Sequence, residues 1–487
     1  MADTMCADMG NPDRLTGLDS SFLHLERDRV HMHVAGAMVL EGAPPAYDEL
    51  VDQIVSRLHL VPRYRQRLAF VPFGQGRPVW VDDPHFNVAF HVRHTALPAP
   101  GGEPELRRLC GRIFSQELDR SRPLWELWLV EGFADDRFAL LSKTHHALVD
   151  GVSGVDIATV LFDTSPTPAP VGVVPEWVPR PLPSDAQLLA DALLERATVP
   201  GEITRGIRHA FRGPRQVAMR LGRAAVGVGA LARVVQSAPP SPLNVRIGPH
   251  RRFSWVAADL QDLKQVKATL GGTVNDVILA VVAGALGRYL ARHGQLAGDL
   301  TLRAMVPVSI RADLERGALG NRVAAMWASL PVAMQDPVER LLTISREMEG
   351  VKRSGQAVGA QVLTELTGFA PPTIVAQAAR LQTRQRMFNL VVTNVPGPQY
   401  PLYMLGRRLE AMYPMVPLAG GQALGVAIIS YDGRLTFGLV ADYDALPDLE
   451  DLAGDLRAAI AELVAAAGPS PRSAQRPRRR TASARTP

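Results

Sequence analysis

The sequence predicts a two-part α/β protein of the α+β kind, with mixed sheets. Three observations carry this. The chain has 487 residues, more than one hydrophobic core accommodates. Strand-like and helix-like segments mix in both parts without the regular βαβ repeat of a doubly wound sheet. Finally, a proline-rich stretch, TSPTPAPVGVVPEWVPRPLPSD (164–185), separates two blocks of similar length, and proline at that density supports neither helix nor central strand.

The first block spans 1–165. Within it, PELRRLCGRIFSQELD (104–119) places Leu106, Leu109, Cys110, Ile113, Phe114 and Leu118 at helical spacing, and RFALLSKTHHA (137–147) reads as a strand. A linker covers 166–244, and its stretch 186–236 has helical character. Residues 196–233 hold Arg196, Arg205, Arg208, Arg212, Arg215, Arg220, Arg223 and Arg233 against one acid, Glu202. Such a basic, weakly amphipathic segment has two readings: an interdomain crossover with a solvated face, or a surface for anionic membranes. The second block, 245–467, opens with the strand HRRFSWVAADL. Thr273 is then the N-cap of a helix, VNDVILAVVAGALGRYLARH, that Gly294 ends. A strand, FNLVVTNV (388–395), follows. Asp432-Gly433 sits between two apolar runs as a two-residue hairpin turn, and Asn394 in TNVPGP reads as a turn residue beside a rigid Pro-Gly-Pro loop.

Charge excludes one function class. The formal net charge is +5, but the last twenty residues carry six arginines and no acid, so the rest of the chain sums to 5 − 6 = −1. The Pro/Ser/Arg-rich tail, 468–487, has no apolar periodicity and is expected to be disordered. With the basic charge outside the folded body, no nucleic-acid partner is indicated. Two cysteines, Cys6 and Cys110, give no disulfide framework and point to a reducing cytoplasm. The start, MADTMCADMG, lacks the apolar core of a signal peptide, and the apolar run within 277–287 falls short of a bilayer span.

The most informative string is His145-His146-Ala147-Leu148-Val149-Asp150-Gly151. A metal site needs several convergent ligands, and neighbouring histidines on a strand point to opposite faces, so no metal is expected. A strand end instead delivers an imidazole rigidly to a cleft, where it can accept a proton. Only one of the two histidines is then expected to meet substrate, and the Asp-Gly pair turns the chain. No G-x-S-x-G elbow, P-loop or GxGxxG occurs, and neither cysteine sits in a motif. A base without its own nucleophile suggests direct transfer, in which a bound hydroxyl or amine attacks an activated acyl donor.

HHALVDG resembles the motif of the CoA-dependent acyltransferases, which include chloramphenicol acetyltransferase and peptide-synthetase condensation domains. Other segments are similar to the bacterial wax ester synthase/diacylglycerol acyltransferase family. They are Pro123-Leu124-Trp125, Asn275-Asp276 in NDVILA, LTGLDSSFLHLE with His31-Met32-His33-Val34, PLNVRIGPHRR, VPVSIRAD with Gly320-Asn321, and TNVPGP, in the same order. The DFGWG motif of the plant branch is missing. The resemblance implies two chloramphenicol-acetyltransferase-like halves joined by a crossover linker, with acyl-CoA as donor substrate and diacylglycerol or a long-chain alcohol as acceptor. It implies neither cofactor nor covalent acyl-enzyme, and a peripheral place at the inner membrane or a lipid droplet. By position, His146 becomes the general base, His145 its support, and Asp150 a structural residue for which Arg311 is the candidate partner. Gly151 permits the turn, and Pro123, Leu124 and Trp125 pack near the solvent channel that the resemblance implies between the two halves. Asn275 and Asp276 either cap a helix or shape the site. A condensing acyltransferase of the same fold, or a non-catalytic lipid-surface protein, are the alternatives.

Overall fold

The computed structural model describes residues 13–26, 29–149, 160–168, 176–195, 237–309, 323–353 and 386–468. Its first-half strands are β1 (His33–Glu41), β2 (Gln66–Ala69), β3 (Val79–Asp82), β4 (Val92–Ala96), β5 (Trp125–Phe133) and β6 (Arg137–His145). The second half supplies β7 (Arg251–Asp259), β8 (Leu302–Ser309), β9 (Val323–Leu330), β10 (Leu390–Pro396), β11 (Tyr403–Met404), β12 (Arg407–Met415), β13 (Leu424–Tyr431) and β14 (Arg434–Asp442).

Two six-stranded sheets result, in the orders β11-β12-β1-β6-β5-β4 and β7-β14-β13-β10-β8-β9. Both are mixed: β4 runs parallel to β5 in the first, and β10 runs parallel to both β13 and β8 in the second. The chain beyond 245 does not stay in one sheet. Strand β12 pairs antiparallel with β1, from Ala35 opposite Met415 to Leu40 opposite Leu409, so the second half extends the sheet of the first.

The alternation of β6 explains where its end points. Phe138 and Leu140 join the core of the first half with Leu50, Ile54 and Trp125. Ala139 and Leu141 face a second core, where Leu106 and Ile113 meet Phe253, Trp255 and Val440 from the other half. This shared core brings backbones close. A Cβ added at Gly438 would lie 1.8 Å from the Pro414 carbonyl oxygen, so only glycine lets β14 pass the end of β12.

The second half has its own core around the helix Val274–Arg292. Thr273 caps that helix as expected: its hydroxyl accepts from the Asp276 N–H at 3.2 Å, and Asp276 accepts from the Thr273 N–H at 2.8 Å. This is the one helix among the described residues long and apolar enough to span a bilayer, but 78% of its apolar window is buried inside the fold. The hairpin turn holds too, with φ of +43° at Asp432 and +81° at Gly433.

Two local expectations are corrected. The helix read over 104–119 runs from Glu103 to Phe114. Beyond it, the Phe114 carbonyl meets His33 Nε2 at 2.8 Å, and the Ile113 and Gln116 carbonyls accept from Lys143 Nζ at 3.3 and 3.1 Å, so side chains replace the next helical turn. Asn394 is no turn residue: it lies within β10, opposite Ile428.

Candidate active site

The site begins where β6 ends. His145 is opposite His33 in the β1–β6 ladder, and three consecutive N–H groups make the transition from strand to helix. The His145 N–H donates to the Leu124 carbonyl at 2.9 Å, and the His146 N–H to the Met32 carbonyl at 2.8 Å. The Ala147 N–H donates back to His145 Nδ1 at 3.1 Å, as the short helix His146–Val149 starts. The chain is thereby fixed at both histidines, with no donor left over.

The two imidazoles have different fates. His145 is 0% exposed. Because its Nδ1 accepts from Ala147, its ring proton resides on Nε2, which lies 3.3 Å from Glu26 Oε2, off the line of a good hydrogen bond. Both nitrogens of His145 are thus directed at the protein. His146 is half-buried instead, and its ring stacks on Phe22 with centroids 4.1 Å apart and planes 26° apart. That stacking holds the ring plane.

Both neighbours come from the helix Gly17–Leu25 and the Glu26 that caps its end. Thr16 caps its start, accepting from the Asp19 N–H at 3.1 Å. Phe22 and Glu26 are four residues apart, hence one turn apart on the same face; one meets His146 and the other His145. Glu26 is the hub of this arrangement. Its Oε1 accepts from the Met32 N–H at 3.0 Å, and its Oε2 accepts from Arg120 Nε at 3.1 Å and Nη2 at 2.6 Å. Burial alone would push this carboxyl up, but the hydrogen bonds and charges of His145 and Arg120 outweigh it and bring the pKa down to about 2. Glu26 is therefore an anion beneath His145 at any working pH.

Around this centre lies more buried charge. Lys143, two residues before His145 on the same face, is fully buried and pairs with Glu126 at 3.2 Å. Burial keeps His33 well below its ordinary pKa, with the Lys143 charge adding to the effect, and His31 stacks on it at 5.5 Å between centroids. Burial also pushes the Cys110 thiol up to about 12, which removes it as a nucleophile.

The structure brings together part of the predicted constellation. Leu124 and Trp125 are buried, with the Leu124 carbonyl holding the His145 N–H; the Trp125 indole donates to the Tyr64 carbonyl at 2.8 Å. Their contribution is to pin the strand end, as packing residues do. Pro123 is buried beside them. Asp276 is 3% exposed and serves the capping box of its helix, with Asn275 half-buried beside it. Asp150, Gly151 and Arg311 lie outside the described residues, as does the pairing expected between Asp150 and Arg311. Glu26, Arg120 and Phe22 went unnoticed by sequence reasoning. The one available signal was an acid closing an apolar helix, FLHLE, just before His31-Met32-His33.

The wax ester synthase/diacylglycerol acyltransferase catalytic domain matches residues 15–278, more than half of the chain, and the C-terminal domain of the same family matches 319–464. This chain belongs to the wax ester synthase/diacylglycerol acyltransferase family. It is 37% identical over 459 residues to the probable diacylglycerol O-acyltransferase tgs2 of Mycobacterium tuberculosis, covering 92% of this chain and 98% of that one. It is 35% identical over 457 residues to tgs1 of the same organism, covering 93% and 96%. Among solved structures, the wax ester synthase/diacylglycerol acyltransferase of Marinobacter aquaeolei VT8 superposes with a TM-score of 0.67 at 31% identity, covering 94% of this chain and all of that one. The starter condensation domain of rhizomide synthetase shares the fold alone, with a TM-score of 0.55 at 14% identity. Both family domains are thus present in this wax ester synthase/diacylglycerol acyltransferase family member, and the two mixed sheets are the architecture they share with its structural neighbours.

Proposed function

We propose that this chain is an acyl-CoA-dependent O-acyltransferase that makes triacylglycerol from diacylglycerol, with wax ester formation on long-chain alcohols as a second activity. The observation that carries the reading is the difference in burial of the histidine pair: His145 is wholly buried, with its Nδ1 taken by the Ala147 N–H, whereas His146 is half-buried at the strand end in a chain that matches the family's catalytic domain. His146 is the general base. It takes the proton from the acceptor hydroxyl as that oxygen attacks the thioester carbonyl carbon. The tetrahedral intermediate then collapses, the carbon–sulfur bond breaks, and His146 returns the proton to the CoA sulfur.

The chemistry needs no cofactor, because acyl-CoA arrives activated, and no metal, because CoA thiolate is a good leaving group. His145, held by Ala147 and Glu26, positions the strand end from which His146 projects. Diacylglycerol is sparingly soluble, which places the reaction at the surface of a membrane or lipid droplet, with the chain peripherally attached. Incubation of the purified protein with palmitoyl-CoA and dioleoylglycerol tests the reading. Stoichiometric free CoA and triacylglycerol are expected; CoA release without triacylglycerol would refute the acceptor, and no release with any alcohol would refute the activity.

A further inference from the structure

The segment PLNVRIGPHRR brings a buried arginine to the junction of the two halves. Arg251 opens β7 and is 5% exposed. Its ion-pair partner Asp442, opposite it in the β14–β7 ladder, stands 3.8 Å away, and its hydrogen bonds go to backbone carbonyls instead. Nη1 donates to Gly248 at 2.6 Å and to His250 at 3.0 Å, both in its own half, and Nη2 donates across the junction to the carbonyl of Arg29. A planar guanidinium holds its donors at fixed angles, so one side chain grips both halves at once.

The base of this clamp is firm. The Arg251 N–H donates to Ser115 Oγ at 2.8 Å, just past the helix Glu103–Phe114, and a Cβ at Gly111 would lie 2.7 Å from the Arg251 carbonyl oxygen. Asp442 in turn accepts from the Gly248 N–H at 2.6 Å.

The carbonyl held across the junction belongs to the loop that carries the His146 N–H. Arg29 lies three positions before Met32, and Val30 between them packs on the core shared by the halves. Met32 commits both backbone groups to the site: its N–H donates to Glu26 Oε1, and its carbonyl accepts from the His146 N–H at 2.8 Å. Glu26 anchors the loop at Met32, and Arg251 anchors it at Arg29. Over three planar peptide units there is little slack, so a shift at Arg29 reaches the Met32 carbonyl. The Arg251 charge also reaches His31 in this loop, whose pKa is lowered first by burial and next by that charge. We infer that Arg251 is a positioning residue for the acyl transfer, through which the second half holds the loop 29–32 and with it the backbone of His146. This rests on the reading of His146 as the general base, and it gives the second half a share in placing that base.

Three variants test it. Arg251→Met removes every donor at similar length, and Arg251→Lys keeps the charge facing Asp442 without the fork. Ser115→Ala is the comparison, since it cuts the Arg251 N–H contact at the same junction and leaves the guanidinium alone. Hydrogen exchange by mass spectrometry, resolved by fragmentation to single amides, compares His146 with His145, whose N–H is held by Leu124 within the first half. The Met variant is expected to lose ~10-fold or more in kcat, as slight misplacement of a reacting group does, with KM for palmitoyl-CoA within about twofold of wild type. Its His146 amide is expected to exchange ~10-fold faster or more, with that of His145 unchanged, as the loss of one local hydrogen bond implies. The Lys variant should be intermediate in both, and Ser115→Ala should melt lower with kcat and both amides as in wild type. A Met variant with wild-type kcat, or with a His146 amide no faster than wild type, would overturn the inference. Equal acceleration of both amides, or an equal loss of kcat in Ser115→Ala, would overturn it too, leaving Arg251 a staple between the halves. If the Met variant fails to fold, the Lys variant decides on the same readings. Inactivity of the wild type would refute the proposed reaction, and the exchange pattern would still confirm or refute the link from Arg251 to His146.

Discussion

Replacing Glu26 by glutamine removes one negative charge while preserving shape, and the consequence can be worked from the contacts. Two carboxylate oxygens serve three hydrogen-bond donors, the Met32 N–H on Oε1 and both Arg120 nitrogens on Oε2, and Oε2 also faces the His145 Nε2–H at 3.3 Å. An amide offers one oxygen and turns an N–H₂ group toward the remaining donors, so the Met32 N–H and Arg120 cannot both be satisfied, and His145 loses the anion it faces. The carboxyl is lowered from 4.5 to about 2, a difference of about 2.5 units; at about 1.36 kcal/mol each, the anion is stabilised by about 3 kcal/mol in the folded state. A depressed carboxyl contributes stability above its unfolded pKa and loses it as pH falls from about 4.5 toward 2. At pH 7, Glu26→Gln is therefore expected to destabilise by about 3 kcal/mol, with the gap closing on acidification. Loosened orientation of His145 is expected to lower kcat by ~10-fold to ~100-fold, the rate equivalent of a charge-assisted hydrogen bond of about 1.5–3 kcal/mol, with KM for acyl-CoA little changed. Melting scans from pH 7 down to about 3, across the window in which this stability is lost, and CoA release followed with a thiol reagent at pH 7 measure both. A variant with wild-type kcat would show that the Glu26–His145 pair does not position the base.

Two further predictions follow from buried groups. Burial holds His33 well below 6.5, so protonation belongs to the unfolded chain and stability is expected to fall as pH drops through 6.5. A His33→Gln variant, which keeps a donor for the Phe114 carbonyl, should show a flatter decline in melting temperature between pH 7 and 5; an unchanged slope would place the dependence elsewhere. Gly438→Ala would drive a methyl group into the Pro414 carbonyl at the meeting of β14 and β12, and should destabilise by about 3 kcal/mol. Denaturant unfolding checks this, and a neutral result would mean that the two halves pack less closely there.

What the sequence revealed was local. Thr273 capping Val274–Arg292 and the Asp432-Gly433 turn depend on residues within a few positions of one another, and both are found where expected. The strand end at His145 was legible because apolar alternation stops there. Glu26 was not, because the β1–β6 pairing and the helix Gly17–Leu25 together bring it beneath a histidine distant in sequence. The same limit hid β12. Its apolar pattern suits a strand in either sheet, and only its pairing with β1 decides which. Leu124 illustrates a third case: its motif pointed to the site, but its contribution is a backbone carbonyl holding the His145 N–H, which side-chain identity does not disclose.

The central claim is that His146 moves the proton while His145 holds the strand end. Triacylglycerol formation from palmitoyl-CoA and dioleoylglycerol by His146→Gln, with its circular dichroism matched to wild type, tests this most directly. A fall in kcat of ~10²-fold to ~10⁴-fold is predicted, the span of a lost general base. A rate close to wild type would contradict it.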